Sequence, residues 1–196
     1  MRAMIDAALL FLKNYLHDQL NIRFAIGAPG VEVKNVPKDP DSNGSDTIYI
    51  TLFNVEEERV LKSVPSYQSI DATTYGLKNP EMRLNLYVLF SAQFKPDSYV
   101  NALKFITTTV GIFQGKNVFE DTDFSPSETA AGLEKLILEL QSVTFDQSNQ
   151  LWQTLTSRLV PFVLYKVRMV VVVDVLAPDV AVTKDVRSIT IDTMRM

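Results

Sequence analysis

Apolar side chains recur at helical spacing in three segments of the chain. In the first segment, from Met4 to Leu16, they fall on one helical face: Ile5, Ala8, Leu9, Leu12, Tyr15 and Leu16. This pattern predicts an amphipathic N-terminal helix. A second helix is predicted after Ser98, with Gly115 as its end and a buried stripe of Tyr99, Leu103, Ile106, Val110 and Phe113. Asp146 is expected to cap a third helix, whose apolar face is Leu151, Trp152 and Leu155.

Four other segments have the composition or the period of two that strands show. They are TIYITLFNV (47–55), MRLNLYVLFSAQF (82–94), GLEKLILELQSV (132–143) and FVLYKVRMVVVVDV (162–175). The first is apolar enough to be buried on both faces for much of its length, whereas the second is expected to turn one face to the core. For the third, a short helix remains an alternative. A short extended piece is predicted at 31–36, and a long loop or irregular hairpin at 62–80.

Together these elements predict an α+β fold, in which a mixed, largely antiparallel sheet is flanked by the N-terminal amphipathic helix and two further helices. The chain has 196 residues, 46% of them hydrophobic, which suits one domain. We assign residues 1–176 to it and 177–196 to a C-terminal extension. Short β-branched patches, represented by Val180, Val182, Ile189 and Ile191, alternate there with charges. This composition favours an extended β-arm, although an edge strand of the chain's own sheet or a disordered terminus would also fit.

Composition excludes several functional classes. The formal charge is −4 and the 19 basic residues are dispersed, so nucleic acid is not an expected partner. Cysteine is absent and His17 is the single histidine, which excludes thiolate chemistry and zinc sites with several Cys or His ligands. The uncharged run at 7–12 is too short for an export signal, and segment 159–176 carries charges and is too short to insert into a membrane.

The stretch TLFNVEEERVLK (51–62) poses the main question of chemistry, because three carboxylates follow an apolar run. On a strand, Glu56 and Glu58 point to one side while Glu57 and Arg59 point to the other, so the carboxylates do not converge on one ion. GxSxG, HExxH and GxGxxG motifs are all absent. We therefore predict no catalytic residue, no metal site and no cofactor, and we interpret Glu56 to Arg59 as an electrostatic docking patch or a solvated strand end.

Several segments together resemble one protein family. They are MIDAALLFLKNYL, ITLFNVEEERVLK, LNLYVLFSAQF, ALKFITTTVGIFQGK, GLEKLILEL and NQLWQTLTSRLVPFVLYKVRM. In this order, from Met4 to about Met169, they are similar to the cap, or tail-terminator, proteins of extracellular contractile injection systems of the virulence-cassette and antifeeding-prophage type. The strings NVEEER, LNLYVLFSA and VPFVLYKVRM carry most of the similarity.

The resemblance implies a structural protein with a phage tail-terminator-like fold and no catalytic residues. Such a cap forms a hexameric ring that closes the baseplate-distal end of the inner tube and engages the last sheath layer. Its implied partners are further copies of itself, the tube protein and the sheath protein. It also implies synthesis in the bacterial cytoplasm without a signal peptide, followed by release within an extracellular particle. Glu56, Glu57, Glu58 and Arg59 would then serve subunit or tube contacts.

Two alternatives remain open at this point. A tail-completion or baseplate component of a phage-tail or type VI-like machine would share the architecture and differ mainly in its partners. An enzyme that uses a metal held by oxygen ligands is the second alternative, because hard cations need neither cysteine nor histidine.

Overall fold

The fold is described from a computed structural model of the chain. It covers residues 4–24, 27–37, 46–58, 66–69, 74–78, 82–155, 158–172 and 181–183. The helices are α1 (Met4–Arg23), α2 (Tyr99–Gly115), α3 (Pro126–Ala130) and α4 (Phe145–Leu155). The strands are β1 (Gly30–Val33), β2 (Thr47–Glu57), β3 (Ser66–Ser69), β4 (Thr74–Lys78), β5 (Met82–Gln93), β6 (Val118–Glu120), β7 (Lys135–Gln141), β8 (Phe162–Val172) and β9 (Ala181–Thr183).

Six strands form the main sheet, in the order β1-β2-β5-β8-β7-β6. Every neighbouring pair is antiparallel except β1 and β2, which run parallel, so the sheet is mixed as predicted. The register between β2 and β5 shifts between Leu52 and Asn54, which makes Phe53 the extra residue of a β-bulge. The predicted α+β class, with a largely antiparallel sheet and flanking helices, is confirmed.

Helices α1 and α2 cover one face of the main sheet, here called the α1/α2 face. Its buried side chains include Leu12 and Leu16 of α1, Phe113 of α2, and Val88 and Phe90 of β5. Rings meet edge to face across this layer, for example Phe11 with Phe119 at 5.1 Å between centroids. Each fully buried aliphatic or aromatic side chain contributes about 1.5–3 kcal/mol, so this face supplies most of the fold's stability.

Helix α4 covers part of the opposite face, here called the α4 face. A second, smaller apolar cluster lies beneath it, made of Val36, Leu89, Leu151 and Trp152. Trp152 packs edge to face against Phe162 at 5.4 Å. The sequence pattern assigned one core face to β5, and that prediction was wrong for its second half, because Leu89 is buried under α4.

Three strands form a separate antiparallel sheet, in the order β3-β4-β9. This order repeats that of the three central strands of the main sheet, since β3 follows β2 along the chain, β4 precedes β5 and β9 follows β8. Segment 62–80 therefore contains a hairpin, one of the two forms predicted. Val182 pairs in register with Tyr75, so residues 181–183 form a strand within their own chain. Arg59, Val180, Ile189 and Ile191 lie outside the described residues.

Three sequence-based details differ from the structure. Helix α1 continues to Arg23 instead of ending at Leu16, because the apolar period extends to the buried Leu20. The buried stripe of α2 is rotated: Ile106 and Phe113 are buried as predicted, but Tyr99 and Leu103 are exposed. The other buried residues are Ala102, Phe105, Thr109 and Ile112. Phe105 sets this rotation by packing against the rings of Phe24 and Phe94.

The third difference concerns the start of α4. Thr144 caps the helix instead of Asp146: its Oγ1 accepts a hydrogen bond from the Gln147 N–H at 3.3 Å. In return, the Thr144 N–H donates to Gln147 Oε1 at 3.0 Å. This reciprocal pair is a capping box, and it places Asp146 inside the first turn, where its charge favours the helix dipole.

The buried hydroxyl of Tyr165 should make the free energy of unfolding depend on pH. Burial among Phe90 and Phe113 raises the pKa of Tyr165 to about 12. The folded chain holds this proton more tightly than the unfolded chain, so the stabilisation is complete below about pH 10 and is lost as pH rises towards 12, by about 1.4 kcal/mol per pH unit. We expect Tyr165→Phe to lose less stability than the wild type between about pH 10 and 12 in urea unfolding. Equal losses in both proteins would contradict this assignment.

Candidate functional site

The part of the α4 face that α4 leaves uncovered carries polar side chains on four adjacent strands. Two cross-strand rows define it. The first row is Asn54, Tyr87, Lys166 and Glu139, and the second begins Glu56, Asn85 and Arg168. Together with Glu58, which directly follows the last residue of β2, these residues are here called the polar face. A sheet face this rich in charge, next to an apolar cluster on the same face, is a candidate contact surface for another protein.

Glu56 is held at the edge of the polar face by two hydrogen bonds. The Tyr87 hydroxyl donates to Glu56 Oε2 at 3.0 Å, and Asn54 Nδ2 donates to Glu56 Oε1 at 3.2 Å. Burial and the bond to Glu56 raise the pKa of Tyr87, and the negative charges of Glu56 and Glu58 raise it further. Tyr87 therefore remains a hydrogen-bond donor at neutral pH. The Glu56 carboxylate is oriented by neutral donors, which leaves its charge available to a partner.

Glu58 lies deeper in the same surface. Its Oε2 accepts a hydrogen bond from Asn85 Nδ2 at 3.1 Å and lies 4.0 Å from Lys166 Nζ. Asn85 is almost fully buried, so its amide depends on this carboxylate. Beside this group, Arg168 pairs with Glu139 at 2.7 Å. The polar face thus holds three adjacent groups of internal contacts: one around Glu56, one around Glu58, and the ion pair of Arg168 with Glu139.

The three glutamates separate as the strand alternation predicts. Glu56 and Glu58 belong to the polar face, whereas Glu57 pairs in register with Leu84 and points to the α1/α2 side. No group of three or more Asp, Glu or His side chains in the described ranges is arranged to hold a metal ion. Among the described helices, none combines the length and apolar character needed to cross a membrane.

A groove of about 490 Å³ runs between the polar face and α4. Phe53, Leu151 and Leu164 supply apolar walls, and the amides of Asn54, Gln141, Gln147 and Gln150 supply donors and acceptors. Glu56 is the charged side chain among its described lining residues. Amides and apolar groups in this mixture suit a protein segment, because amides can donate to and accept from a peptide backbone.

A second, smaller hollow of about 130 Å³ lies at the end of the sheet where β5 leads into α2. Phe94, Tyr99, Leu159 and Pro161 form its apolar part. Its charged lining residues in the described chain are Lys95 and Arg158. Both cavities combine apolar and polar side chains, as protein contact surfaces do.

Residues 9–182 match the sequence profile of the family described as the Pvc16 N-terminal domain. The chain belongs to the Pvc16 N-terminal domain family. This membership spans most of the chain and confirms the resemblance noted from its sequence motifs. No curated protein sequence matches the chain.

Two solved structures share the fold of this Pvc16 N-terminal domain. One is a PVC sheath/tube terminator of an extracellular contractile injection system in its extended state; the TM-score is 0.61 at 12% identity, over 96% of this chain and 65% of that one. The other is the anti-feeding prophage cap, a tube-terminating cap, with a TM-score of 0.57 at 13% identity, over 90% of this chain and 59% of that one. The chain therefore spans less than two thirds of the length of either relative.

The sequence predicted the glutamates of the polar face as candidate site residues but did not predict their partners on β5 and β8. Glu56 and Glu58 were singled out from the acidic run, but their partners Tyr87, Asn85 and Lys166 were assigned only to the polar positions of strands. The available signal was the alternation of polar residues at 83, 85 and 87 and at 166 and 168. The interface role of Glu56, Glu57, Glu58 and Arg59 stays a prediction.

The internal contacts of the polar face predict that the glutamates differ in their effect on stability. Glu58→Ala should lower the free energy of unfolding by about 1–3 kcal/mol, because it leaves the buried Asn85 amide without this acceptor and Lys166 without this carboxylate. Glu56→Ala should cost less than about 1 kcal/mol, since Glu56 is exposed and bonds to groups that water can reach. Chemical denaturation of the two variants and the wild type measures both values. Equal costs would show that Asn85 does not depend on Glu58.

Proposed function

We propose that this chain is a structural cap, or terminator, of a phage-tail-like contractile injection particle. It closes the baseplate-distal end of the inner tube and engages the last sheath layer. The observation that carries the proposal is the fold shared over 96% of the chain with a sheath/tube terminator, supported by a second match to a tube-terminating cap. Both relatives are terminators, so these matches favour a cap over the tail-completion or baseplate alternative.

The proposed partners are further copies of this chain in a homohexameric ring, the tube protein and the sheath protein. A ring that docks on a sixfold tube presents one docking surface to each tube subunit, which requires heterologous contacts between neighbours. The role is non-enzymatic and uses no cofactor. The chain is made in the bacterial cytoplasm and acts in a particle that is released from the cell.

Two segments carry the proposed contacts. Glu56, Glu57, Glu58 and Arg59 serve subunit or tube association, where charge fixes register more than it adds affinity. The β-branched positions Val180, Val182, Ile189 and Ile191 belong to a C-terminal arm, in which Val182 pairs with β4 and the positions after Thr183 add a strand to the sheath. The pairing of Ala181–Thr183 with β4 provides an ordered base from which such an arm would extend.

Particles assembled without this chain test the proposal directly. Electron micrographs should show tubes and sheaths of irregular length with an open baseplate-distal end, because no subunit then terminates growth. Complementation with the wild-type chain should restore uniform length. Particles of unchanged length with a closed end would show that another protein terminates them.

The C-terminal arm has its own test. Deletion of residues 178–196 removes β9 but none of the six strands of the main sheet, so we expect a folded domain that still binds tube and loses sheath attachment. Circular dichroism checks the fold, and co-sedimentation with tube alone and with sheathed tube separates the two contacts. A deletion that caps sheathed particles as well as the full chain does would refute the arm.

A further inference from the structure

The groove and the hollow have opposite charges. Among their described lining residues, the groove has the carboxylate of Glu56 and no cation, whereas the hollow has Lys95 and Arg158 and no carboxylate. Glu56 is oriented by neutral donors, so a cation from outside the chain can approach it without displacing an internal ion pair. The two surfaces are therefore electrostatically complementary to each other.

Both surfaces also expose apolar side chains that a monomer would ordinarily bury. Phe53 lines the groove and is 41% exposed, and Phe145, two residues from the groove residues Val143 and Gln147, is 92% exposed. At the hollow, Leu159 is 70% exposed and Tyr99 is 57% exposed. Exposed apolar side chains clustered with polar ones mark protein contact surfaces.

The two surfaces lie on different sides of the main sheet. The groove includes Tyr87 and Leu164 of the α4 face, whereas the hollow includes Ala92 and Phe94, whose side chains join the core of the α1/α2 face. Along β5, Tyr87 and Ala92 are about 17 Å apart at the usual rise per residue. A contact between the groove of one copy and the hollow of the next is therefore heterologous, as closed rings require.

We propose that neighbouring copies of this chain join head to tail, with the hollow of one copy seated against the groove of the next. Leu159 packs against the apolar wall of Phe53, Leu151 and Leu164, and the ammonium group of Lys95 in the hollow pairs with Glu56. The amides of the groove bond to the backbone at 158–161, which lies outside any helix or strand. This inference rests on the proposed ring and specifies the surfaces that build it.

Charge reversal tests the pairing. Glu56→Lys alone, or Lys95→Glu alone, should weaken self-association of the full chain at least about tenfold, because each places like charges at the contact. In a mixture of the two variants, the groove that carries Glu56→Lys meets the hollow with reversed charge, and the native groove meets the native hollow. Both contacts then have opposite charges, so the mixture should associate about as well as the wild type. Sedimentation velocity over a concentration series measures this, and Tyr87→Phe controls for the lost hydrogen bond to Glu56. Failure of the mixture to recover association would overturn the pairing.

Site-directed cross-linking tests the geometry independently of charge. The chain contains no cysteine, so introduced thiols are the only reactive ones. A short bismaleimide should join Gln150→Cys in the groove of one copy to Leu159→Cys in the hollow of another, giving a ladder of products from the double variant. Ile22→Cys, 75% exposed on α1, replaces Leu159→Cys in the matched control. A yield no higher than in this control, in free protein and in particles, would overturn the head-to-tail contact.

These results separate this inference from the proposed function. If the chain terminates tubes but the charge and cross-linking variants behave like the wild type, the cap function stands and the groove–hollow contact is wrong. If the variants confirm the contact but particles form normally without the chain, the self-association stands and the cap function is wrong.

Discussion

Strand β5 is the element on which the other parts of this fold depend. It pairs with β2 on one side and β8 on the other, and its two faces meet different surroundings. Val88 and Phe90 join the main core, whereas Leu89 joins the cluster under α4. Because successive side chains of a strand alternate between faces, β5 holds α2 and α4 on opposite sides of the same sheet. The groove beside α4 and the hollow beside α2 are consequences of this arrangement.

The polar face and the second apolar cluster share one surface of the sheet, and this has an energetic basis. Helix α4 is short, with a small buried contribution from Leu151 and Trp152, and it covers only the part of the α4 face near the start of β8. The remaining positions would be costly if apolar and exposed to water. They are occupied by polar groups that bond to one another, such as Arg168 with Glu139 and Glu58 with Asn85, while Asn85 Oδ1 and Arg168 Nε have no hydrogen-bond partner among the described residues. The surface is consequently ordered without a partner and is ready to receive one.

Local pattern predicted much of the fold, because α1, β2, β5, β7 and β8 are each long enough to show their period. What it did not predict depends on packing between distant segments. The rotation of α2 follows from rings of Phe24 and Phe94, and the burial of Leu89 follows from the position of α4. For the same reason, the sequence alone indicated the glutamates of the polar face and not the side chains that bond to them. The partners of Glu56 and Glu58 lie on β5 and β8, and the sequence alone does not show that β5 pairs with β2 on one side and with β8 on the other.

The bulge at Phe53 decides which side chains β2 shows to each face. With the extra residue, Asn54 opposes Tyr87, Glu56 opposes Asn85, and Val55 opposes Leu86. Continuous pairing from Leu52 with Val88 would instead place Glu56 opposite Leu84 and Val55 opposite Asn85, exchanging carboxylate and apolar side chain between the two faces. The side chains that β2 presents on the surface proposed for assembly therefore depend on the bulge as well as on the residue types. Deletion of residue 53 would remove the bulge and leave Glu56 opposite Asn85, whereas pairing of residue 53 with Tyr87 would turn the end of β2 inside out.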